Sequence, residues 1–278
     1  MNKLKLILAL FLLVNFTNCT SDLRTKITKS NTNETKAKAL IIEMGKAHNI
    51  EAWKNIRTYN VDFEEEFFGR IGKSGNPYPD MKTELLLSYI PNSFDGQFHF
   101  KSGQNKDTGW GLQSWKTYNI IGKKNTFEEN KDALFWIPTY QYFMEFPLRI
   151  QKATAFGYAG TKEINDINCE GVIVSWNTIE PQRKIDQYLI WLHPETKQIV
   201  KLEYTIREIS KLIKGAVYYQ DYKNYDGIIL PSKLPVESNL VKNGWLHEMR
   251  IKDFTKNIVT INSLRPNKDL SVLGDSKD

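Results

Sequence analysis

The sequence predicts a mainly β protein of the α+β class: one curved antiparallel sheet that forms an incomplete barrel and is capped by a few helices. Three observations carry this. Apolar residues recur with period two in stretch after stretch between residues 55 and 254. Turn-forming residues separate these stretches at short intervals, as in an antiparallel meander. One segment, 131–150, is instead apolar nearly all round and must be covered on most sides. About ten strands in one sheet curl rather than stay flat, and the hollow they create needs a filler; 131–150 is the candidate. No alternating strand–helix pattern and no helical repeat occurs, which argues against a doubly wound fold.

The chain opens with Lys3 and Lys5, nine apolar residues at 6–14, and Cys19. A charged head, a short apolar run and a cleavage region make an export signal; a bilayer span needs about 20 residues. Residues 1–18 are therefore expected to be removed. Residues 1–19 resemble a bacterial lipoprotein signal, whose cysteine becomes the lipidated first residue. Phe16 and Asn18 depart from that pattern, which prefers Leu and a small residue there. Ordinary cleavage after Cys19-Thr20-Ser21 is the rival. With no Ala-x-Ala site competing, lipidation at Cys19 is expected, and more than one acyl chain suffices for a stable anchor.

Residues 19–33, rich in Ser, Thr, Asn and Lys, read as a flexible tether. In 34–48, Ala37, Leu40, Ile41, Met44 and Ala47 fall at helix spacing. The period then changes. Val61, Phe63 and Phe67 share one strand face, and further strands are expected near 83–90, 96–101, 109–120, 153–165, 169–178, 184–193, 198–210, 215–225, 228–237 and 244–254. Within 198–209, Val200, Leu202, Tyr204 and Ile206 alternate with Lys201, Glu203, Thr205 and Arg207, a sheet with one dry and one wet side. In 131–150, Pro138 can open a helix and Pro147 can close it. Residues 258–278 form a C-terminal extension.

Chemistry-bearing patterns are few. The four His residues, His48, His99, His193 and His247, show no metal spacing, and no His-Glu-x-x-His, Cys-x-x-Cys or Gly-x-Ser-x-Gly occurs. Neither a metal nor a cofactor is expected, and no catalytic residue. Gly72-Lys73-Ser74 mimics the end of a phosphate loop, but Phe67 stands where the loop needs Gly; a solvated loop is the simpler reading. Glu64-Glu65-Glu66 reads as a solvated strand face, with Glu64 and Glu66 on one side. Cys169 reads as a small buried residue at a strand start. The net charge of +6, lowered by two when Lys3 and Lys5 are removed, is scattered along the chain, so nucleic acid is not an expected partner. The 7 Trp, 13 Tyr and 14 Phe are ample for a core or an apolar pocket.

Four motifs, in this order, resemble a known family: Gly45-Lys46-Ala47-His48-Asn49-Ile50-Glu51-Ala52-Trp53, Tyr142-Phe143-Met144-Glu145-Phe146-Pro147, Asp186-Gln187-Tyr188-Leu189-Ile190-Trp191-Leu192-His193-Pro194-Glu195-Thr196 and Asp221-Tyr222-Lys223-Asn224-Tyr225-Asp226-Gly227-Ile228-Ile229-Leu230-Pro231. They resemble the helix-to-strand entry, lid, paired strands and closing hairpin of the LolA/LolB-like lipoprotein-localisation fold, and of exported lipoproteins of unknown function built on it. The resemblance spans most of 34–257. It implies a half-barrel closed by helices, with an apolar interior that holds acyl chains. The greater length and the strands before the lid depart from the simplest members.

The expectation is a non-catalytic, monomeric envelope lipoprotein, held at the outer membrane and facing the periplasm. It binds a lipid or other apolar ligand in the concavity under a movable lid at 131–147. The expected ligand contacts are Trp136, Tyr140, Phe143 and Met144 from the lid and Trp176, Tyr188, Tyr204 and Tyr218 from the sheet. Two other readings remain: an interaction module whose hollow is filled by side chains, and an envelope hydrolase with a site assembled from distant residues.

Overall fold

The computed structural model describes residues 20–30 and 33–275; the signal segment 1–18 and Cys19 lie outside them. One 14-stranded antiparallel sheet dominates; among its strands are β3 (Gly96–Phe100), β8 (Ile167–Ser175), β9 (Tyr188–Leu192) and β13 (Ile228–Ser238). The order is β6-β5-β4-β3-β2-β1-β14-β13-β11-β10-β9-β8-β7, with β12 paired to β13 beside this path. The sheet is not closed. Its centre is the pairing of the first strand, β1 (Tyr59–Phe67), with the last, β14 (His247–Lys256), which joins two meanders. Its edges are β6 (Lys124–Phe127) and β7 (Ala155–Ile164). The chain passes from one edge to the other through helix α4 (Lys131–Met144), whose residues Ala133, Trp136, Ile137, Tyr140, Phe143 and Met144 fill the hollow.

Most expected strands are present with shifted ends. Two expected stretches are each two strands. Residues 109–120 fold back as β4 (Thr108–Gln113) and β5 (Lys116–Ile121), because Ser114 and Trp115 both take positive φ, 49° and 61°. That is the geometry of a two-residue hairpin turn, and neither residue advertises it. In the same hairpin the Tyr118 ring lies across Gly111; a Cβ there would stand 1.9 Å from the ring. Residues 215–225 divide into β11 (Lys214–Tyr218) and β12 (Gln220–Tyr225). The polar edge strand β6 carries no alternation to read.

The expected helix at 34–48 forms as α2 (Glu34–Ala47), capped by the Asn33 side chain on Lys36 N. Gly72-Lys73-Ser74, expected in a solvated loop, lie in the short helix α3 (Gly69–Gly75), where Gly72 is buried against the Leu246 carbonyl.

The stretch read as a tether packs on the sheet's outer face as far as it is described. Leu23 is buried with Cys169, Ile173, Leu189 and Trp191. Leu23 N donates to Gln187 Oε1 at 3.1 Å, and Arg207 Nη1 donates to Ser21 Oγ at 2.9 Å. Helix α1 (Lys26–Ser30) sets Ile27 against the bare Gly160, whose φ of +87° sits at a bulge in β7. The cause lies in strands β7–β10, which are apolar on both faces. A register shift between Ile199 and Lys201 sends Val200 to this outer cluster, so the strand β10 (Ile199–Thr205) is not dry on one side only. The C-terminal extension is likewise held down: Leu264 is buried, Arg265 Nε meets Asp95 Oδ2 at 2.5 Å, and Lys152 pairs with Asp275.

His48 closes α2. Its Nδ1 lies 2.8 Å from the Met44 carbonyl and its Nε2 3.0 Å from the Tyr222 hydroxyl. Burial lowers its pKa from 6.5 to about 4. The unfolded chain therefore takes up this proton near 6.5 and the folded chain only near 4. The His48 contribution to stability is complete above 6.5 and is lost as pH falls toward 4. Urea unfolding across this range will show falling stability, and His48→Gln will flatten the slope; an unchanged slope contradicts the assignment. Ile137→Ala, which empties the centre of the hollow, will cost about 2–5 kcal/mol by the same measurement.

Candidate functional site

Helix α4 is built to be held at both ends. At its start the Asn130 side chain accepts from Ala133 N at 3.0 Å, and Asn130 N donates to Thr117 Oγ1. Pro138 does not open the helix; it lies inside it, so Leu134 O has no amide partner four residues on. Thr139 Oγ1 caps the neighbouring Phe135 carbonyl at 2.6 Å, and Tyr89 Oη donates to Ile137 O at 2.9 Å. Pro147 does not close the helix either; it begins the next one, α5 (Phe146–Arg149).

Between α4 and α5, Glu145 is fully buried and satisfied. Tyr59 Oη and Gln141 Nε2 donate to Oε1 at 2.8 and 2.7 Å; Asn92 N and Arg149 Nε donate to Oε2 at 3.1 and 3.0 Å. Arg149 also reaches Ser93 O at 2.7 Å and lies over the Phe94 ring at 4.1 Å. This network ties the helix end to β1 and to the turn after β2 (Lys82–Tyr89).

With one face of α4 plugging the hollow, its other face, Leu134, Phe135, Pro138, Thr139 and Tyr142, forms the wall of a cleft of about 690 Å³. The opposite wall is Ile71 of α3 with Ile206, Ile209, Ile213, Val236 and Leu240 from the sheet rim; Tyr188 and Phe94 stand at one end, and Phe143, Tyr204 and His247 also line the space. Ile71, Ile209 and Leu240 are exposed. The volume lies within the range of small-molecule sites.

Of the eight expected contacts, Trp136, Phe143, Tyr188 and Tyr204 line this cleft. The other four do not. Tyr140 is buried in the hollow, its ring 4.8 Å from Phe63 and its hydroxyl 2.7 Å from that of Tyr78. Met144 is core. Trp176 packs behind Tyr188, with ring centroids 6.1 Å apart. Tyr218 is on the outer face beside Trp245, its hydroxyl held by Lys201 Nζ at 2.6 Å.

Sequence reasoning missed the polar group beneath the cleft. Glu64 and Glu66 do point outward. Burial works to raise the Glu64 pKa, but its bonds to Lys252, Lys82 and Arg250 overcome this and bring it to about 2. Glu65 points inward and is fully buried, and its Oε1 meets His247 Nδ1 at 2.8 Å. Burial raises its pKa, against the pull of His247. The signal was present: Glu65 has the parity of Val61, Phe63 and Phe67. Cys169 is buried and free, and His99 is half-buried beside Gln97, 3.3 Å away. Among the described residues no group of His, Cys, Asp or Glu is arranged to hold a metal ion.

No family model and no curated protein matches this sequence. Solved structures do match its architecture. A domain assigned to outer membrane lipoprotein sorting from Vibrio parahaemolyticus superposes with a TM-score of 0.56 at 12% identity, over 84% of this chain and 98% of that one. A LolA superfamily protein from Nitrosomonas europaea gives 0.51 at 9% identity, over 86% and 99%. The fold is LolA-like. A DUF1329 family protein from Desulfovibrio piger agrees, at 0.51 and 8% identity over 84% and 97%. At these identities the likeness concerns the fold alone.

Removing Glu145 leaves Arg149 buried without its carboxylate, which costs about 3–5 kcal/mol. Glu145→Ala will lower the stability by that amount in denaturant unfolding. A loss under about 1 kcal/mol would mean that the network does not hold the helix.

Proposed function

We propose that this is a non-catalytic envelope lipoprotein that binds an apolar ligand, an acyl chain or lipid, in the cleft beside α4. The observation that carries the reading is the cleft itself: about 690 Å³, walled on both sides by aliphatic and aromatic side chains and rimmed by exposed isoleucine and leucine. Burying a chain there gains about 0.8 kcal/mol per methylene. The LolA-like fold is compatible with this role, and a neighbour in that fold is named for lipoprotein sorting.

The site differs from the simplest expectation. The hollow of the sheet is occupied by α4, so the ligand lies along the helix rather than beneath it, and α4 stays in place during binding. The export signal at 1–18 and lipidation at Cys19 would hold the protein at the outer membrane, facing the periplasm. Among the described residues no helix is long and apolar enough to cross a membrane.

The filled hollow favours a second reading, an envelope interaction module in which the exposed apolar rim meets a protein. The hydrolase reading draws less support: the cleft histidine meets a carboxylate, and the described hydrogen bonds give it no Ser or Cys partner.

Mature protein purified from its own host should carry extractable lipid. A polarity-sensitive fluorescent fatty acid should bind, and Leu134→Glu should weaken it about tenfold or more while the thermal melt stays cooperative. Tyr218→Ala, on the outer face, should leave binding unchanged. If no lipid co-purifies, no probe binds, and one protein is captured in stoichiometric amount, the interaction reading replaces this one.

A further inference from the structure

The cleft is apolar along its walls but has one fixed polar group in its floor. His247 is only 5% exposed, yet it lines the space. Its ring cannot turn freely. It stacks on Phe67 with centroids 5.3 Å apart and planes 22° apart, and meets Trp136 edge-on at 5.6 Å. Nδ1 is taken by Glu65 at 2.8 Å. Among the described residues no hydrogen bond to Nε2 is found, so that nitrogen is available to an occupant of the cleft.

The proton inventory decides what Nε2 offers. Glu65 is fully buried and its second oxygen, Oε2, has no partner. A net negative charge on the pair is strongly penalised there. Burial favours the uncharged carboxyl of Glu65. A carboxyl that donates from Oε1 to Nδ1 leaves the neutral ring's one hydrogen on Nε2, which is then a donor. The charges at the mouth add a second selection. Asp132, Asp186, Glu208 and Glu237 line the cleft, Glu237 paired with Lys201 at 3.1 Å, and no Lys or Arg is part of the lining. An anionic head group is repelled; an uncharged acceptor is not.

Resting on the reading of the cleft as an apolar-ligand site, we propose that His247, oriented by Glu65, donates from Nε2 to an uncharged ester or amide carbonyl at the head of an acyl chain. The preferred ligand class is then esterified or amidated chains rather than free fatty acids or plain hydrocarbons.

The test compares four probes with twelve-carbon chains on the mature protein by displacement of a fluorescent dye: dodecane, methyl laurate, laurate and dodecylamine. Methyl laurate should bind about tenfold more tightly than dodecane, the value of one buried hydrogen bond, and more tightly than laurate or dodecylamine. The double variant Glu65→Gln/His247→Phe removes the donor and the buried carboxyl together and keeps an aromatic ring on Phe67. Its ratio of methyl laurate to dodecane affinity should fall from about ten to about one. His247→Gln retains an amide donor and should recover part of the preference. If dodecane and methyl laurate bind equally to the wild type, or laurate or dodecylamine binds most tightly, the carbonyl assignment is overturned while the apolar cleft stands. If none of the four binds, the ligand-site reading itself fails.

Discussion

The structure depends on burying one apolar helix in the hollow of an open sheet. A 14-stranded antiparallel sheet that curls without closing leaves two edges and a concave face. Neither can be left to water: edges offer unpaired backbone groups, and the concave face carries Val61, Phe63, Leu85, Leu87 and Phe98. Helix α4 fills the concave face with its inward side chains, while α1 and α2 pack against the edge strand β7. Its N-cap network and the Glu145 cluster keep it in register with the sheet.

This arrangement moves the open space from the hollow to the flank of the helix. A helix that fills the hollow cannot also lift away cheaply, since lifting it would expose Ile137, Tyr140 and Phe143 together and strand Glu145 and Arg149 away from Tyr59 and Ser93. The space left open is the cleft between the outward face of α4 and the rim of the sheet. There the same helix supplies Leu134, Phe135 and Tyr142, so one element is both plug and wall.

Two buried glutamates show how differently the interior treats charge. Glu145 receives four donors and sits against a guanidinium; its role is to hold elements together. Glu65 meets His247 through Oε1 and is also eased by the Tyr140 hydroxyl, but its Oε2 makes no hydrogen bond. A half-satisfied carboxyl is expensive in a core. Glu65 lies beneath a cleft-lining imidazole, and its carboxyl orients that ring.

Alternation was enough to read the antiparallel sheet, helix spacing the helix expected at 34–48, and all-round apolarity the filler expected within 131–150, because these patterns reflect local burial. They also held the inward parity of Glu65, although three consecutive glutamates looked solvated. The β4–β5 turn was not legible, since Ser114 and Trp115 adopt positive φ under tertiary constraint. Nor was the docking of residues 20–30, whose single buried leucine answers an apolar patch on the opposite face of strands more than a hundred residues away. Which aromatics face the cleft was decided only by the fold: Tyr188 and Tyr204 line it while Tyr218 lies outside, because strand parity assigns a residue to a face, and only the packing of α4 against the rim determines where on that face a space is left.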